Sequence, residues 1–177
     1  MRRVCASPAF ILLASAAVLT SCALRPGSVR YPRAREGRIV VERTGGAHLL
    51  DVGARATYCR EDSLLLIIAV DGRWSAGLVI RGPFPPKATR TFAVRPSLAG
   101  DGTAAAAFRL VDDSIQPAVM ALRGTVEIDA DARATGRFAI GAAPAPGRSD
   151  PIHLVGAFRA LPTTDTTATC SASPRIL

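Results

Sequence analysis

From about residue 38 onward, apolar and polar positions alternate with a period of two. In "VMALRGTVEID", Met120, Leu122, Gly124, Val126 and Ile128 fall on one face, and Ala121, Arg123, Thr125, Glu127 and Asp129 on the other. This is the signature of a half-buried strand. "GRFAI" continues it with Phe138 and Ile140 inward. "IHLVGAFRAL" repeats it with Ile152, Leu154, Gly156 and Phe158 on one face. Upstream, "ARATYC" and "SLLLIIAV" flank the turn "RED". The second run is apolar on both faces, which suits a strand covered on both sides. Asp71-Gly72 marks a hairpin turn, and "RWSAGLVIRG" follows with Trp74, Ala76, Leu78 and Ile80 aligned.

"TRTFAV" and "TAAAAFRLV" add two candidates, although the alanines at 104–107 also suit a helical turn. The reading is all-β: eight or nine short strands, no long helix and no internal repeat. Strands at this spacing predict a single antiparallel β-sandwich or flattened barrel. Glycines 124, 136 and 156 lie inside the strand patterns, where they permit bending or close approach of facing side chains. Trp74, the only tryptophan, lies on an apolar face and is expected in the core rather than in a pocket.

The first residues follow another grammar. Arg2 and Arg3 precede an apolar run, Ala9 to Leu19, and small residues lead to a cysteine. That is the layout of an export signal. Its last four residues, Leu19-Thr20-Ser21-Cys22, resemble the lipobox of bacterial lipoproteins. The resemblance implies a diacylglyceryl group on the Cys22 thiol, removal of residues 1–21, and in many species acylation of the new amino group. It also implies a cell-envelope address. Ala23 in second place points to the outer membrane, or to the cell surface where the host has a single membrane. Two other readings compete. Val4 to Leu24 carries no charge and is long enough to span a bilayer, but Pro8, several hydroxyl residues and two cysteines dilute it. Ordinary signal cleavage would leave Cys22 as an unexplained thiol.

The expected organisation is a signal peptide over 1–21, the lipidated Cys22 with a basic linker over 22–37, and one β-domain over 38–177. Residues 25–38, "RPGSVRYPRAREGR", hold two prolines and two glycines without periodicity and read as an extended tether. Their arginines would favour an anionic leaflet by about 1 kcal/mol each; alternatively they only solvate a spacer.

The chain has four cysteines. Cys5 leaves with the leader and Cys22 carries lipid. Cys59 and Cys170 remain as the only possible pair, in a compartment that permits disulfides. A metal site from two isolated cysteines is disfavoured, because zinc takes four ligands at short paired spacings.

The net charge of +8 invites a nucleic-acid reading. All basic residues but Lys87 are arginine, spread along the chain with few aromatics, so no stacking platform or basic stripe is indicated. The candidate chemistry is thin. His153 falls on a polar strand face and His48 near a turn, and no third metal ligand joins them. "EIDADARATG" approaches a calcium loop, but Arg133 and Ala134 occupy the places of an oxygen ligand and the glycine. Asp129 and Asp131 therefore read as hairpin residues. "EDS" at 61–63 reads as a turn beside Ser63. Asp112 and Asp113 are adjacent, and neighbours on a strand point to opposite faces. No motif nominates a cofactor or a metal. The function these residues favour is a lipid-anchored envelope module with a binding or structural role. The alternatives are an accessory subunit of an envelope transport or assembly complex, and a hydrolase uniting His48 or His153 with acids and Ser63.

Overall fold

The computed structural model describes residues 29–45, 47–72, 74–109, 119–143, 151–168 and 170. These residues form ten strands and no helix: β1 (Arg38–Arg43), β2 (Ala47–Cys59), β3 (Leu64–Asp71), β4 (Trp74–Arg81), β5 (Arg90–Val94), β6 (Thr103–Arg109), β7 (Val119–Ile128), β8 (Ala134–Ala142), β9 (Ile152–Leu161) and β10 (Thr163–Thr166). The alanine run that suited a helical turn is strand β6. Its four methyl groups are all buried, and tertiary burial overrides alanine's weak helical preference.

The strands share one sheet, ordered β1-β9-β8-β7-β5-β6-β4-β3-β2-β10, and β1 also pairs with β2. That last pairing closes the wall. A single closed, barrel-like sheet stands where the alternation suggested two facing sheets or a flattened barrel. Both architectures alternate in and out along every strand, so the alternation itself does not separate them. Most of the wall is an antiparallel meander. Two short pieces interrupt it. β5 wedges between β7 and β6, antiparallel to the first and parallel to the second at Ala93↔Thr103 and Val94↔Ala104. β9 follows β1 to the pair Arg38↔Arg159, kinks at Ala160 with φ 45°, and continues as β10 alongside β2. The Thr135 hydroxyl accepts the Ala160 amide at 2.9 Å and holds the kink.

The inner face is filled. Phe92, Phe108, Phe138 and Phe158 lie among Ile39, Leu65, Ile67, Leu78, Ile80 and Leu154, all essentially inaccessible. Phe108 and Phe138 meet with ring centroids 5.9 Å apart. Each such side chain contributes roughly 1.5–3 kcal/mol by leaving water. A void of about 10 Å³ beside Phe92 and Ile128 leaves room for no more than one water. One end, called lower here, holds the β2–β3 turn and the β9–β10 kink. Tyr58 and Phe84 plug it, with centroids 5.7 Å apart. The upper end holds the β1–β2 and β3–β4 turns, and Leu49, Trp74 and Ile152 close it. Trp74 is thus a core-edge residue, as its apolar face suggested.

Two glycines exist to make room. In the β8–β9 register Gly136 lies opposite Phe158 and Phe138 opposite Gly156. A Cβ built on Gly156 would fall 2.1 Å from Phe138 Cζ, and one on Gly136 2.7 Å from Phe158 Cζ. Each aromatic ring covers the glycine across from it, a reciprocal form of the aromatic–glycine pairing that pins register in curved sheets.

β7 departs from the simple alternation. Ala121 pairs with Ala142, but Arg123 pairs with Gly141, so one extra residue is inserted. Gly124, with φ 139°, absorbs the bulge. Below it Val126 and Ile128 point inward as expected. Above it the phase inverts: Val119 and Ala121 are buried, and Met120 and Leu122 are exposed. A single inserted residue flips every side chain beyond it.

Outside the barrel a second, small core forms on β2, β3 and β4. Cys59, Leu64 and Val79 are buried there beneath Leu66, Leu98 and Cys170. This explains why "SLLLIIAV" is apolar on both faces: one row fills the barrel and part of the other is covered from outside.

Candidate functional site

Cys59 is bonded to Cys170 across 111 residues, with Cα atoms 6.1 Å apart. The bridge fastens the end of the described chain over the outer core. The turn at 61–63 serves the same junction. Asp62 Oδ2 accepts the Cys170 amide at 2.8 Å, and Arg60 pairs with Asp165 on β10. That carboxylate, by its hydrogen bond and its charge, raises the Arg60 pKa above its ordinary value. Ser63, with φ 50°, closes the turn through its backbone.

The other sequence candidates are dispersed. His48 Nδ1 lies 3.8 Å from Glu42 Oε1 at the upper end, with a half-exposed side chain. His153 is also at the upper end, on the outer face of β9. Ser63 is at the lower end, beyond the full length of β2 from His48. The structure therefore does not bring the histidines and Ser63 together. Asp129 and Asp131 form the β7–β8 turn: the Asp131 amide donates to the Asp129 carbonyl at 2.8 Å, and Asp131 Oδ1 accepts the Arg133 amide at 3.1 Å. Among the described residues no group of three His, Cys, Asp or Glu side chains is arranged to hold a metal. Cys22, Asp112 and Asp113 lie outside the described residues.

A broad concavity lies on the outer wall, not inside it. Residues 29–36 run lengthwise down the outside of β8 and β9, and the chain then reverses into β1. The Gly37 amide donates to the Arg159 carbonyl at 2.8 Å, and the Arg38 amide to the Arg35 carbonyl at 3.2 Å. The second half of the expected linker is thus docked rather than extended into solvent. Tyr31 lies under the Arg137 guanidinium, 4.9 Å from ring centroid to Cζ. Arg137 in turn pairs with Glu127 at 2.7 Å, and this hydrogen bond chiefly raises the Arg137 pKa above its ordinary value. Glu36 pairs with Arg133 at the bottom. The wall beneath is suited to being covered, since the outward-facing Val155 is almost inaccessible.

Tyr31→Ala is expected to loosen this segment without harming the barrel. A surface cation–π contact contributes about 0.5–1 kcal/mol, so the melting temperature should move by only a few degrees. Tryptic cleavage after Arg33 and Arg35 should accelerate several-fold, because cleavage follows local opening. Equal cleavage rates in the two proteins would mean that Tyr31 does not hold the segment.

Beside the upper half of this segment the wall opens into a groove of about 870 Å³. Its floor is Ala139, Gly141 and Val155, and Arg30, Arg43 and Arg123 stand around it with His153. Sequence reasoning missed this place. Arg123 lies on the outward row that the alternation already gave, whereas its neighbour Leu122 is turned outward only by the bulge, and Gly124 inside a strand pattern was the one available signal of that.

The chain matches no protein-family model, and neither a curated protein nor a solved structure is significantly similar to it.

Proposed function

We propose that the chain is a lipoprotein of a bacterial cell envelope, held in the membrane through Cys22, whose barrel is a non-enzymatic binding or structural module. The observation that carries this reading is the tetrapeptide Leu19-Thr20-Ser21-Cys22 at the end of an apolar run behind two arginines. The Cys59–Cys170 bond supports it, because such bonds persist in exported compartments. The packed interior favours an outer-surface role over storage of a ligand inside the barrel. With Ala23 in second place, the outer membrane, facing the periplasm, is the proposed location. A second reading, an accessory subunit of an envelope transport or assembly complex, draws on the exposed Val70, Met120 and Leu122.

The test is the intact mass of the membrane-extracted chain under non-reducing conditions, with and without a thiol alkylator. The expected species begins at Cys22, is heavier by two or three acyl chains, and takes up no alkylator. One acyl chain alone holds only marginally, whereas two or more anchor durably. A chain that retains residues 1–21, or one without added lipid, overturns the proposal.

A further inference from the structure

The large exposed hydrophobic side chains gather at one end of the barrel. Among the described residues they are Val29, Val70, Met120 and Leu122, between 36% and 51% exposed. Met120 and Leu122 stand at the upper end of β7, where the bulge turns them outward. Val70 is next to last in β3, paired with Ser75 near the same end. Val29 borders the outer-wall groove beside Arg43 and Thr44, again at the upper end.

Charge divides the same way. Arg30, Arg43 and Arg123 surround the groove, and none makes an ion pair among the described residues. Among the described residues the acids at this end are Glu42, which faces His48, and Asp71. Toward the lower end ion pairs are frequent, Arg60 with Asp165, Arg133 with Glu36 and Arg137 with Glu127, beside arginines such as Arg81, Arg90 and Arg159 that make none among the described residues. Among the described residues the upper end thus joins exposed apolar side chains to unpaired arginines with few acids, and the lower end mixes acids, ion pairs and further arginines.

The segment that leads to β1 also meets the barrel wall first at this end, at Val29. Val29 follows Cys22 by seven residues, which span at most about 25 Å when fully extended. If Cys22 sits in a bilayer, as the reading above holds, the upper end stays within that distance of the surface. Docking of residues 29–36 on the wall removes the slack that a longer linker would supply.

We propose that the upper end of the barrel docks on an anionic phospholipid bilayer. Val29, Met120 and Leu122 enter the interfacial layer, and Arg30, Arg43 and Arg123 meet lipid phosphates. The inference rests on the lipid-anchor reading for its geometry, but the recognising side chains belong to the barrel and the docked segment. Apolar side chains ringed by basic ones are the chemistry by which proteins lie on an anionic interface.

Trp74 is the only tryptophan and stands at this end, so it reports the contact. The experiment uses the mature chain purified from membranes. It is reconstituted in phosphatidylglycerol vesicles whose acyl chains carry bromine, which quenches tryptophan at short range. Trp74 emission should be quenched there, and much less in brominated phosphatidylcholine. The double variant Arg43→Ala/Arg123→Ala alters two exposed side chains and should fold normally. At about fivefold per arginine it should shift the docked-to-undocked ratio roughly 25-fold toward undocked. Flotation of the same vesicles reports the anchor separately. A chain that floats with unquenched Trp74 overturns the docking and leaves the anchor standing. A chain without lipid that is still quenched on adding phosphatidylglycerol vesicles overturns the anchor and supports the docking. Equal quenching in both lipids, or no effect of the double variant, overturns the anionic recognition. Saturable cross-linking of Leu122 to an envelope protein, with Trp74 unquenched, assigns the surface to a protein partner instead.

Discussion

Gly124→Ala is expected to cost about 3–5 kcal/mol, a large share of the total stability. A Cβ at this position would lie 2.2 Å from the Ala139 carbonyl oxygen and 2.8 Å from Ile140 Cα. Both are backbone atoms of the neighbouring strand, so no rotamer change relieves the contact. The residue also has φ 139°, a conformation that costs a side-chain-bearing residue of order 1–3 kcal/mol. Overpacking adds about as much again, against a total stability of roughly 5–15 kcal/mol. Gly156→Ala meets a side chain, Phe138, but that ring is fully buried and has no space to withdraw into. It should cost about 2–3 kcal/mol. Phe138→Leu in the same chain should recover part of that, a positive coupling that a double-mutant cycle would measure. Gly53→Ala is the control. Nothing lies within 4 Å of its Cβ, and replacing glycine in a strand should stabilise by up to about 1 kcal/mol. Urea unfolding of the three glycine variants, of Phe138→Leu and of the Gly156→Ala/Phe138→Leu double variant reads all of this. A Gly124→Ala protein within 1 kcal/mol of the parent would mean that the β7 bulge does not constrain the barrel.

The same glycine marks the border between what the sequence discloses and what it hides. Strand character is local and was legible: the in–out rows of β9 and of the lower half of β7 match the written alternation. The hairpin at Asp71-Gly72 and the outer contact behind "SLLLIIAV" were legible for the same reason. A bulge is different. It adds one residue without changing composition, so Met120 and Leu122 read as core while the structure exposes them. Closure is invisible for another reason. It depends on pairing β1 with both β2 and β9, and the second partner is more than 100 residues away. The docked tether was missed because its footing, Val155 among it, faces outward from strands whose inward rows alone were expected to pack. The groove's arginines looked like unremarkable members of a dispersed set until barrel closure and the docked segment placed three of them together.

Reduction of Cys59–Cys170 should destabilise the barrel by about 3 kcal/mol while leaving its native shape nearly unchanged. The shape persists because the bridge is not the tail's only attachment. β10 pairs with β2 from Thr163 to Thr166, Arg60 holds Asp165, and Asp62 accepts the Cys170 amide. The loss therefore arises in the unfolded chain. A link between residues 111 apart removes loop-closure entropy worth on the order of 4.7 kcal/mol in the chain-entropy model, and measured values usually fall at 2–4. For a chain of this size 3 kcal/mol lowers the melting temperature by about 10 °C. Because the reduced chain unfolds to a less compact ensemble, the slope of stability against urea should also steepen. Cys59→Ala/Cys170→Ala should reproduce both effects, with a small added loss for the space left beside Leu64 and Val79. The decisive comparison is the urea midpoint and slope of the oxidised chain against the reduced chain and the double variant. A lower midpoint with unchanged slope would place the effect in the folded state, with the bridge tightening the outer core. A shift below 1 kcal/mol would mean that the strand, the ion pair and the Asp62 contact hold the tail without help from the bridge.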